Sequence, residues 1–331
     1  MSLARPPQRE KASAGSLVAR FVGFLLFLGL TGAIVWAFSV TSGIDSFEIV
    51  DPEESPPGTL VTLSNGQSLH YREMGSGPPV LLVHDYDVAG GYQWLGVAEA
   101  LPNYRLIIPD QIDFGFGTHP NEMGRQHTVS GRAETLSLLI EELGLGSTTL
   151  VGAGMGGTVA AQVAADGPEM VERLVLIAPE IYGPAPTWTE TFFRLPLVGP
   201  ALIFTNLGGG NRAVENYQAE CITGGWCPTA ADLEVREGAA RVQGTTAALL
   251  AMASTPRATT IPADLGKISA PTLVIWGDND RVTPLSDGRQ LVDAISGSSL
   301  DVLAGVGHRP HRQDPAATAA LIETFLGSSG T

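Results

Sequence analysis

The sequence predicts an α/β domain with a doubly wound, mostly parallel sheet, preceded by one transmembrane helix. Apolar strand-like runs alternate with helical stretches, which is typical of a parallel sheet covered by helices on both faces. The strand-like runs span residues 78–84, 104–110, 147–153, 173–179, 271–277 and 299–305. Helical stretches between them include residues 131–146 and 158–174. A separate apolar run at 21–40 has the length of a membrane span.

The N-terminal apolar run carries no charged residue between Arg20 and Asp45. About 20 apolar residues are enough for a helix to cross the ~30 Å hydrocarbon layer. Residues 1–20 are mostly basic in their charges, whereas the charged residues that directly follow the run are all acidic. The positive-inside rule then predicts a single-pass protein with residues 1–20 in the cytoplasm, an anchor at 21–44, and the domain in the periplasm or at the cell surface. A cleaved signal peptide is the alternative, although its apolar core usually runs only ~7–15 residues.

Residues 45–57 are acidic and proline-bearing, which predicts a linker between the membrane and a domain at 58–331. That domain begins with two alternating segments around Asn65-Gly66, a strong hairpin signal. The chain is 44% hydrophobic and 16% charged, so it can bury a large core and disorder is excluded. A formal net charge of −15 excludes nucleic acid as a partner, because no basic stripe is present to contact phosphates.

An interval of about 90 residues, 182–270, separates two strand-like runs that would otherwise be neighbours. An insertion of this length is usually functional. We expect a lid over a site at the carboxyl ends of the strands, with a small hydrophobic ligand as its occupant; a structural flap without ligand contacts is the alternative. The chain's two cysteines, Cys221 and Cys227, lie in this insertion. They form a candidate disulfide if the compartment is oxidising, and two free thiols are the other interpretation.

Three segments place a glycine turn or polar residues where a strand-like run ends. LVGAGMGGTVA joins a strand to a helix through Gly152, Gly154 and Gly156. In a nucleophile elbow, the middle position of such a turn carries a serine, and here it is Gly154. WGDNDRVTP follows the next-to-last strand with Asp280, and GVGHRPH follows the last strand with His308. An acid and then a histidine is the chain order expected of a Ser-Asp-His triad.

These motifs, together with LLVHDYD and IIPDQIDFGFG, resemble the α/β-hydrolase family over residues 58–328, in particular its lidded bacterial esterase, lipase and peroxidase-like members. The resemblance implies an α/β-hydrolase fold with Asp280 as the triad acid and His308 as the triad histidine. It puts the vacant nucleophile position at Gly154 and the oxyanion-hole donors at the backbone N–H groups of Met155 and Tyr86. No metal-ligand spacing such as H-E-x-x-H is present, and the sequence predicts no metal and no cofactor.

The chain departs from the family's pattern at several places. Its oxyanion loop reads His-Asp instead of His-Gly, which puts Asp85 beside the hole and Asp87 two residues further on. Ala153 precedes the nucleophile position where the family has a histidine or another polar residue, and Asp113 replaces a usual glycine. A carboxylate beside an oxyanion hole disfavours the negative charge that the hole stabilises. Together with Gly154, these changes indicate drift away from acyl transfer.

A glycine cannot form an acyl-enzyme, and loss of a triad serine typically costs on the order of 10⁶ in turnover. We therefore expect a degenerate or re-purposed hydrolase that binds a ligand or a partner, as some relatives without the serine do in signalling or as scaffolds. One alternative is an active hydrolase on ester-like or other small hydrophobic substrates, with Asp280–His308 as general base on water or with Asp85 or Asp87 supplying a carboxylate. Another is an accessory subunit of a membrane assembly, with a membrane-protein partner for the anchor helix.

Overall fold

The computed structural model describes residues 14–51, 58–183, 193–209, 214–215, 218, 226–255 and 261–328, with side chains from residue 21 onward. The strands in this part of the chain are β1 Thr59–Thr62, β2 Ser68–Met74, β3 Pro79–Val83, β4 Arg105–Pro109, β5 Thr148–Ala153, β6 Val171–Ile177, β7 Thr272–Gly277 and β8 Ser299–Leu303. The α-helices are α1 Ala14–Phe47, α2 Leu95–Glu99, α3 Val129–Glu142, α4 Met155–Asp166, α5 Val198–Asn206, α6 Ala230–Ala240, α7 Thr245–Ser254, α8 Ile261–Asp264, α9 Leu285–Ala294, α10 Pro310–Gln313 and α11 Pro315–Gly327.

The strands form one sheet in the order β1-β2-β4-β3-β5-β6-β7-β8. β2 pairs antiparallel with both β1 and β4, whereas the pairs from β4 through β3, β5, β6 and β7 to β8 are parallel. The hairpin expected around Asn65-Gly66 is the β1–β2 pair, and Gly66 has a left-handed φ of +84°. The predicted α/β fold with a mostly parallel sheet is confirmed.

The central strands are buried on both faces of the sheet. Leu81 of β3 packs into a hydrophobic cluster with Leu139 of α3, whereas Leu82 belongs to a second cluster with Ile322 of α11. Successive side chains of a strand point to opposite faces. An uninterrupted apolar run is therefore the pattern that a strand covered on both sides requires, which is why the apolar runs located these strands correctly.

The helix expected at 158–174 begins earlier and ends sooner than the sequence pattern indicated. α4 spans Met155–Asp166, and the chain is already in β6 from Val171. Gly167 and Pro168 end the helix, because a proline lacks the N–H group that would continue the hydrogen-bond ladder. The apolar residues after Pro168 happen to continue the spacing of apolar residues in the helix, but they belong to β6 and are buried in the sheet.

α1 contains a segment, Phe21–Phe47, that is long and apolar enough to cross a membrane. Its apolar side chains are largely exposed, among them Phe24, Leu26 and Phe38. Length and composition of this kind are shared by membrane anchors and by signal sequences near an N-terminus. The helix continues past residue 44, so the first residues of the expected linker are helical.

The residues at the end of α1 contact the 182–270 insertion. The Phe47 ring packs edge-on against Phe204 of α5, with 5.3 Å between ring centroids. The Glu48 carboxylate accepts a hydrogen bond of 2.8 Å from the Thr246 N–H at the start of α7, a position where an anionic group compensates unpaired helix donors. The expected linker is therefore bound to the insertion where it leaves the helix, and its residues 52–57 lie outside the described part of the chain.

The insertion is largely helical where it is described, and it carries α5 to α8 between β6 and β7. Arg236 of α6 donates to the Leu207 carbonyl oxygen at 2.8 Å, which ties α6 to the end of α5. Cys227 is not a free thiol. Its expected partner Cys221 lies outside the described residues, so the Cys221–Cys227 disulfide stays a prediction.

Candidate active site

The turn from β5 into α4 has the backbone of a nucleophile elbow with a glycine at its apex. Gly154 lies at φ +51° and ψ −122°, a conformation that favours glycine. Its N–H donates to the carbonyl oxygen of Ile177 at the end of β6, at 2.9 Å. Gly156 must also be small, because a Cβ there would lie 2.3 Å from the carbonyl oxygen of Val83. The turn is thus built as the glycine spacing indicated, without a side chain at its apex.

The carboxylate of Asp85 occupies the space that a side chain at position 154 would fill. A Cβ on Gly154 would lie 2.1 Å from Oδ1 of Asp85 and 2.3 Å from its Cγ. The same Oδ1 accepts a hydrogen bond of 3.0 Å from the backbone N–H of Met155, the donor expected for the oxyanion hole. Asp85 is only 2% exposed. One buried carboxylate therefore fills the space beside Gly154 and accepts the Met155 N–H at once.

Asp280 and His308 lie at the carboxyl ends of neighbouring strands β7 and β8, and the structure brings them into contact. The Oδ2 of Asp280 lies 2.9 Å from Nδ1 of His308. The Val282 N–H donates to Oδ1 of Asp280 at 2.8 Å, and the Thr283 hydroxyl donates to Oδ2 at 2.8 Å. These bonds fix the carboxylate, which in turn orients the imidazole so that Nε2 faces the space around Gly154.

The pKa values of this pair shift in opposite directions. Burial lowers the pKa of His308, but the hydrogen bond that its imidazole donates to Asp280 and the charges of Asp85 and Glu180 outweigh it, so that pKa lies above its ordinary value. Burial raises the pKa of Asp280, and the bond to His308 together with two backbone N–H groups brings it below its ordinary value. His308 is therefore more readily protonated than a free histidine, which weakens it as a general base near neutral pH.

The Asp280–His308 pair is expected to stabilise the fold in a limited pH window. The lowered pKa of Asp280 contributes stability above the unfolded value of ~3.9, and this stability is lost as pH falls through the folded pKa. The raised pKa of His308 contributes stability that is fully present below ~6.5 and is lost as pH rises through the folded pKa. In urea denaturation, the parent's advantage over His308→Gln should be larger at about pH 5.5 than at about pH 9. An equal advantage at both pH values would contradict the charged pair.

Two residues that the sequence patterns did not single out complete the charge cluster. Arg309 donates from Nε to Oδ2 of Asp85 at 3.2 Å and from its terminal nitrogen to the Tyr86 carbonyl oxygen at 2.9 Å. Glu180 follows β6, and its backbone N–H donates to the Gly154 carbonyl oxygen at 3.3 Å. Only their positions in the sequence could have indicated these two residues. Arg309 directly follows His308, and Glu180 lies just past the end of a strand, where parallel strands converge on the site.

Asp87 lies in a buried ion-pair cluster, whereas Asp85 is the residue that accepts the Met155 N–H. Its carboxylate is 3.1 Å from Arg312 and 3.7 Å from Arg236 of the insertion. Burial raises the pKa of Asp87, but the arginines outweigh it and hold that pKa below its ordinary value. Its contacts make Asp87 a link between the oxyanion loop, the C-terminal helices and α6.

Two further departures from the family pattern are explained by local structure. The carboxylate of Asp113, a residue at φ +76°, lies 2.9 Å from Nδ1 of His127 and also pairs with Arg132. Ala153 is buried in the second hydrophobic cluster.

His84 contacts the Asp85 loop directly. Its Nδ1 lies 2.7 Å from the Asp85 carbonyl oxygen, and its Nε2 accepts a hydrogen bond from a backbone N–H. Burial lowers the pKa of His84. The neutral imidazole therefore holds the Asp85 loop in place through these two hydrogen bonds.

Comparisons with known proteins agree with the fold. An uncharacterized protein of Mycobacterium tuberculosis (strain ATCC 25618 / H37Rv) is 27% identical over 292 residues, which is 83% of this chain and 83% of that protein. A 2-hydroxymuconate semialdehyde hydrolase of Pseudomonas putida is 25% identical over 84% of this chain and 97% of that enzyme. Among solved structures, a membrane phospholipase A described as a novel bacterial virulence factor has a TM-score of 0.65 and 25% identity, covering 93% of this chain and 98% of that one.

The sheet order, the glycine elbow between β5 and α4, and the acid and histidine after β7 and β8 agree with the family that the sequence resembles. Residues 80–321, well over half of the chain, match the alpha/beta hydrolase family. The chain therefore belongs to the alpha/beta hydrolase family.

Proposed function

We propose that this chain is an alpha/beta hydrolase re-purposed for binding, in which serine-type ester hydrolysis has been lost. The observation that carries the proposal is the position of Asp85. Its carboxylate lies where a serine side chain would stand and accepts the Met155 N–H that would stabilise an oxyanion.

Acyl transfer needs a nucleophile and a vacant set of oxyanion donors. Gly154 supplies no nucleophile, and Asp85 brings a second negative charge to the place where one would develop. Arg309 donates to Oδ2 of that carboxylate at 3.2 Å, and its positive charge compensates the buried negative charge. A substrate carbonyl would have to displace a buried ion pair before it reached the Met155 N–H, and this cost argues against turnover.

The retained Asp280–His308 pair favours one second candidate, hydrolysis by a water that His308 activates. Its Nε2 is directed at the same space, 3.9 Å from Oδ2 of Asp85. The raised pKa of His308 works against this candidate, because the protonated imidazole cannot accept a proton. We therefore rank binding first.

A small hydrophobic ligand is the occupant that the insertion favours. A groove of about 950 Å³ lies among α5, α7 and residues 121–128, lined by apolar side chains that include Phe193, Leu195 and Leu250. Grooves of this size and polarity are typical of small-molecule sites. We propose that the insertion acts as a lid whose groove takes this ligand.

An uncleaved anchor is the role that we propose for α1, with the domain outside the cytoplasm. The contacts of Phe47 with Phe204 and of Glu48 with Thr246 join the end of this helix to the insertion. The apolar run of about 20 residues is longer than the ~7–15 residues usual for the apolar core of a signal peptide, which supports an anchor. A membrane-protein partner packed against the exposed face of α1 is a further proposal, and it would make the chain an accessory subunit.

The loss of hydrolysis is tested with the full chain in detergent, assayed on p-nitrophenyl butyrate and p-nitrophenyl octanoate beside a His308→Ala variant. We expect the parent and the variant to hydrolyse both esters equally slowly, because neither contains a triad nucleophile. Measurable turnover by the parent that His308→Ala abolishes would overturn the proposal and favour the water mechanism.

A further inference from the structure

We infer that Asp85, Glu180 and His308 form a binding site for a divalent cation of the Zn²⁺ type, in the space where a serine hydrolase carries its nucleophile. This goes beyond the proposed function, which requires no metal. The cation site is separate from the groove lined by Phe193, Leu195 and Leu250, so it does not depend on the proposed hydrophobic ligand.

His308 is oriented as a metal-ligating histidine is. Asp280 binds Nδ1 at 2.9 Å, so the neutral imidazole carries its proton on Nδ1 and directs the Nε2 lone pair into the cluster. Nε2 has no hydrogen-bond partner among the described residues, although the side chain is only 10% exposed. A bound cation would provide this buried nitrogen atom with the partner that it lacks. A carboxylate behind the ligating histidine is the usual outer partner of such a ligand.

Two carboxylates face the same nitrogen atom. Oδ2 of Asp85 and Oε1 of Glu180 each lie 3.9 Å from Nε2 of His308, and the three candidate ligand atoms lie within 4.8 Å of one another. With Zn–N and Zn–O bonds near 2.0–2.2 Å, tetrahedral ligands are separated by roughly 3.4 Å. Small side-chain rotations therefore bring all three atoms into bonding range, while Met155 keeps the other oxygen of Asp85 in place.

The charges of the cluster also favour a cation. Asp85, Glu180 and Asp280 contribute three negative charges against the one positive charge of Arg309, so two negative charges remain when His308 is neutral. Arg309 donates to Oδ2 of Asp85 at 3.2 Å, and the second lone pair of that oxygen is available to a metal. One imidazole nitrogen and two carboxylates suit Zn²⁺ better than Mg²⁺ or Ca²⁺, which prefer oxygen ligands alone.

The test uses the full chain without an affinity tag, purified in detergent, stripped with a chelator and titrated with Zn²⁺ by calorimetry. Co²⁺ absorbance gives a second readout of the ligand geometry. We expect saturable binding of one Zn²⁺ per chain, and Glu180→Gln and Asp85→Asn should each weaken it by at least about tenfold, the lower end for loss of even an outer partner of a metal ligand. Glu141→Gln, an exposed carboxylate on α3, is the matched control and should bind as the parent does.

Absence of saturable binding would overturn the inference, as would equal affinity in the parent and in a double Asp85→Asn and Glu180→Gln variant. The titration contains no ester substrate, so its result is independent of the hydrolysis assay. Zn²⁺ binding by an inert chain supports both proposals. Failure to bind Zn²⁺ leaves the loss of serine hydrolysis standing.

Discussion

Gly154→Ser alone is expected to create no esterase, whereas Gly154→Ser combined with Asp85→Gly is expected to create one. A Cβ at position 154 would lie 2.1 Å from the Asp85 carboxylate, so the new serine would displace that group or distort the turn. The Met155 N–H would also stay occupied by Asp85. Removal of the carboxylate clears the nucleophile position, frees the oxyanion donor and restores the His-Gly pair that the family usually has.

The double variant should exceed the parent on p-nitrophenyl butyrate by on the order of 10³, a fraction of the ~10⁶ that a triad serine typically contributes. His308→Ala in that background is the control and should remove the gain, because the serine then has no base. Esterase activity in Gly154→Ser alone, equal to that of the double variant, would contradict the role of Asp85 as the occupant of the site.

Asp87→Asn is expected to lower the free energy of unfolding by about 3–5 kcal/mol, the usual range when one partner of a buried ion pair is removed. The substitution keeps the shape of the side chain but leaves Arg312 and Arg236 without the carboxylate that lies 3.1 Å and 3.7 Å away. Chemical denaturation followed by circular dichroism measures the loss. Arg236 belongs to the insertion, so limited proteolysis should also cut the insertion earlier than in the parent.

Asp301→Asn is the matched control for this substitution, because Asp301 is an exposed carboxylate on β8. Its effect should stay within about 0.5 kcal/mol. A loss of less than about 1 kcal/mol in Asp87→Asn would mean that the cluster is open to water, and the role of Asp87 as a structural link would be wrong.

The order of strands and helices was predictable because it depends on local patterns. Each apolar run predicts a buried strand without information from the rest of the chain, and Asn65-Gly66 predicts a hairpin in the same way. The helix expected at 158–174 was wrong at its C-terminal end for the same local reason, since an apolar strand after Gly167 and Pro168 continues the periodicity of a helix. The positions of Gly154, Asp280 and His308 at strand ends follow from the same patterns, because carboxyl ends of parallel strands converge on one edge of the sheet.

The sequence by itself determined the fold class and the positions of Gly154, Asp280 and His308 at the carboxyl ends of strands. Only the tertiary structure decided which side chain fills the space beside Gly154. Asp85 and Arg309 are 224 residues apart in sequence, and no local pattern encodes which side chain enters a space left by a missing one. The occupant of that space depends on interatomic distances and on side-chain directions. The contacts of Glu180 and Arg309, and the link from Asp87 to the insertion, therefore follow from the three-dimensional structure and not from a sequence pattern.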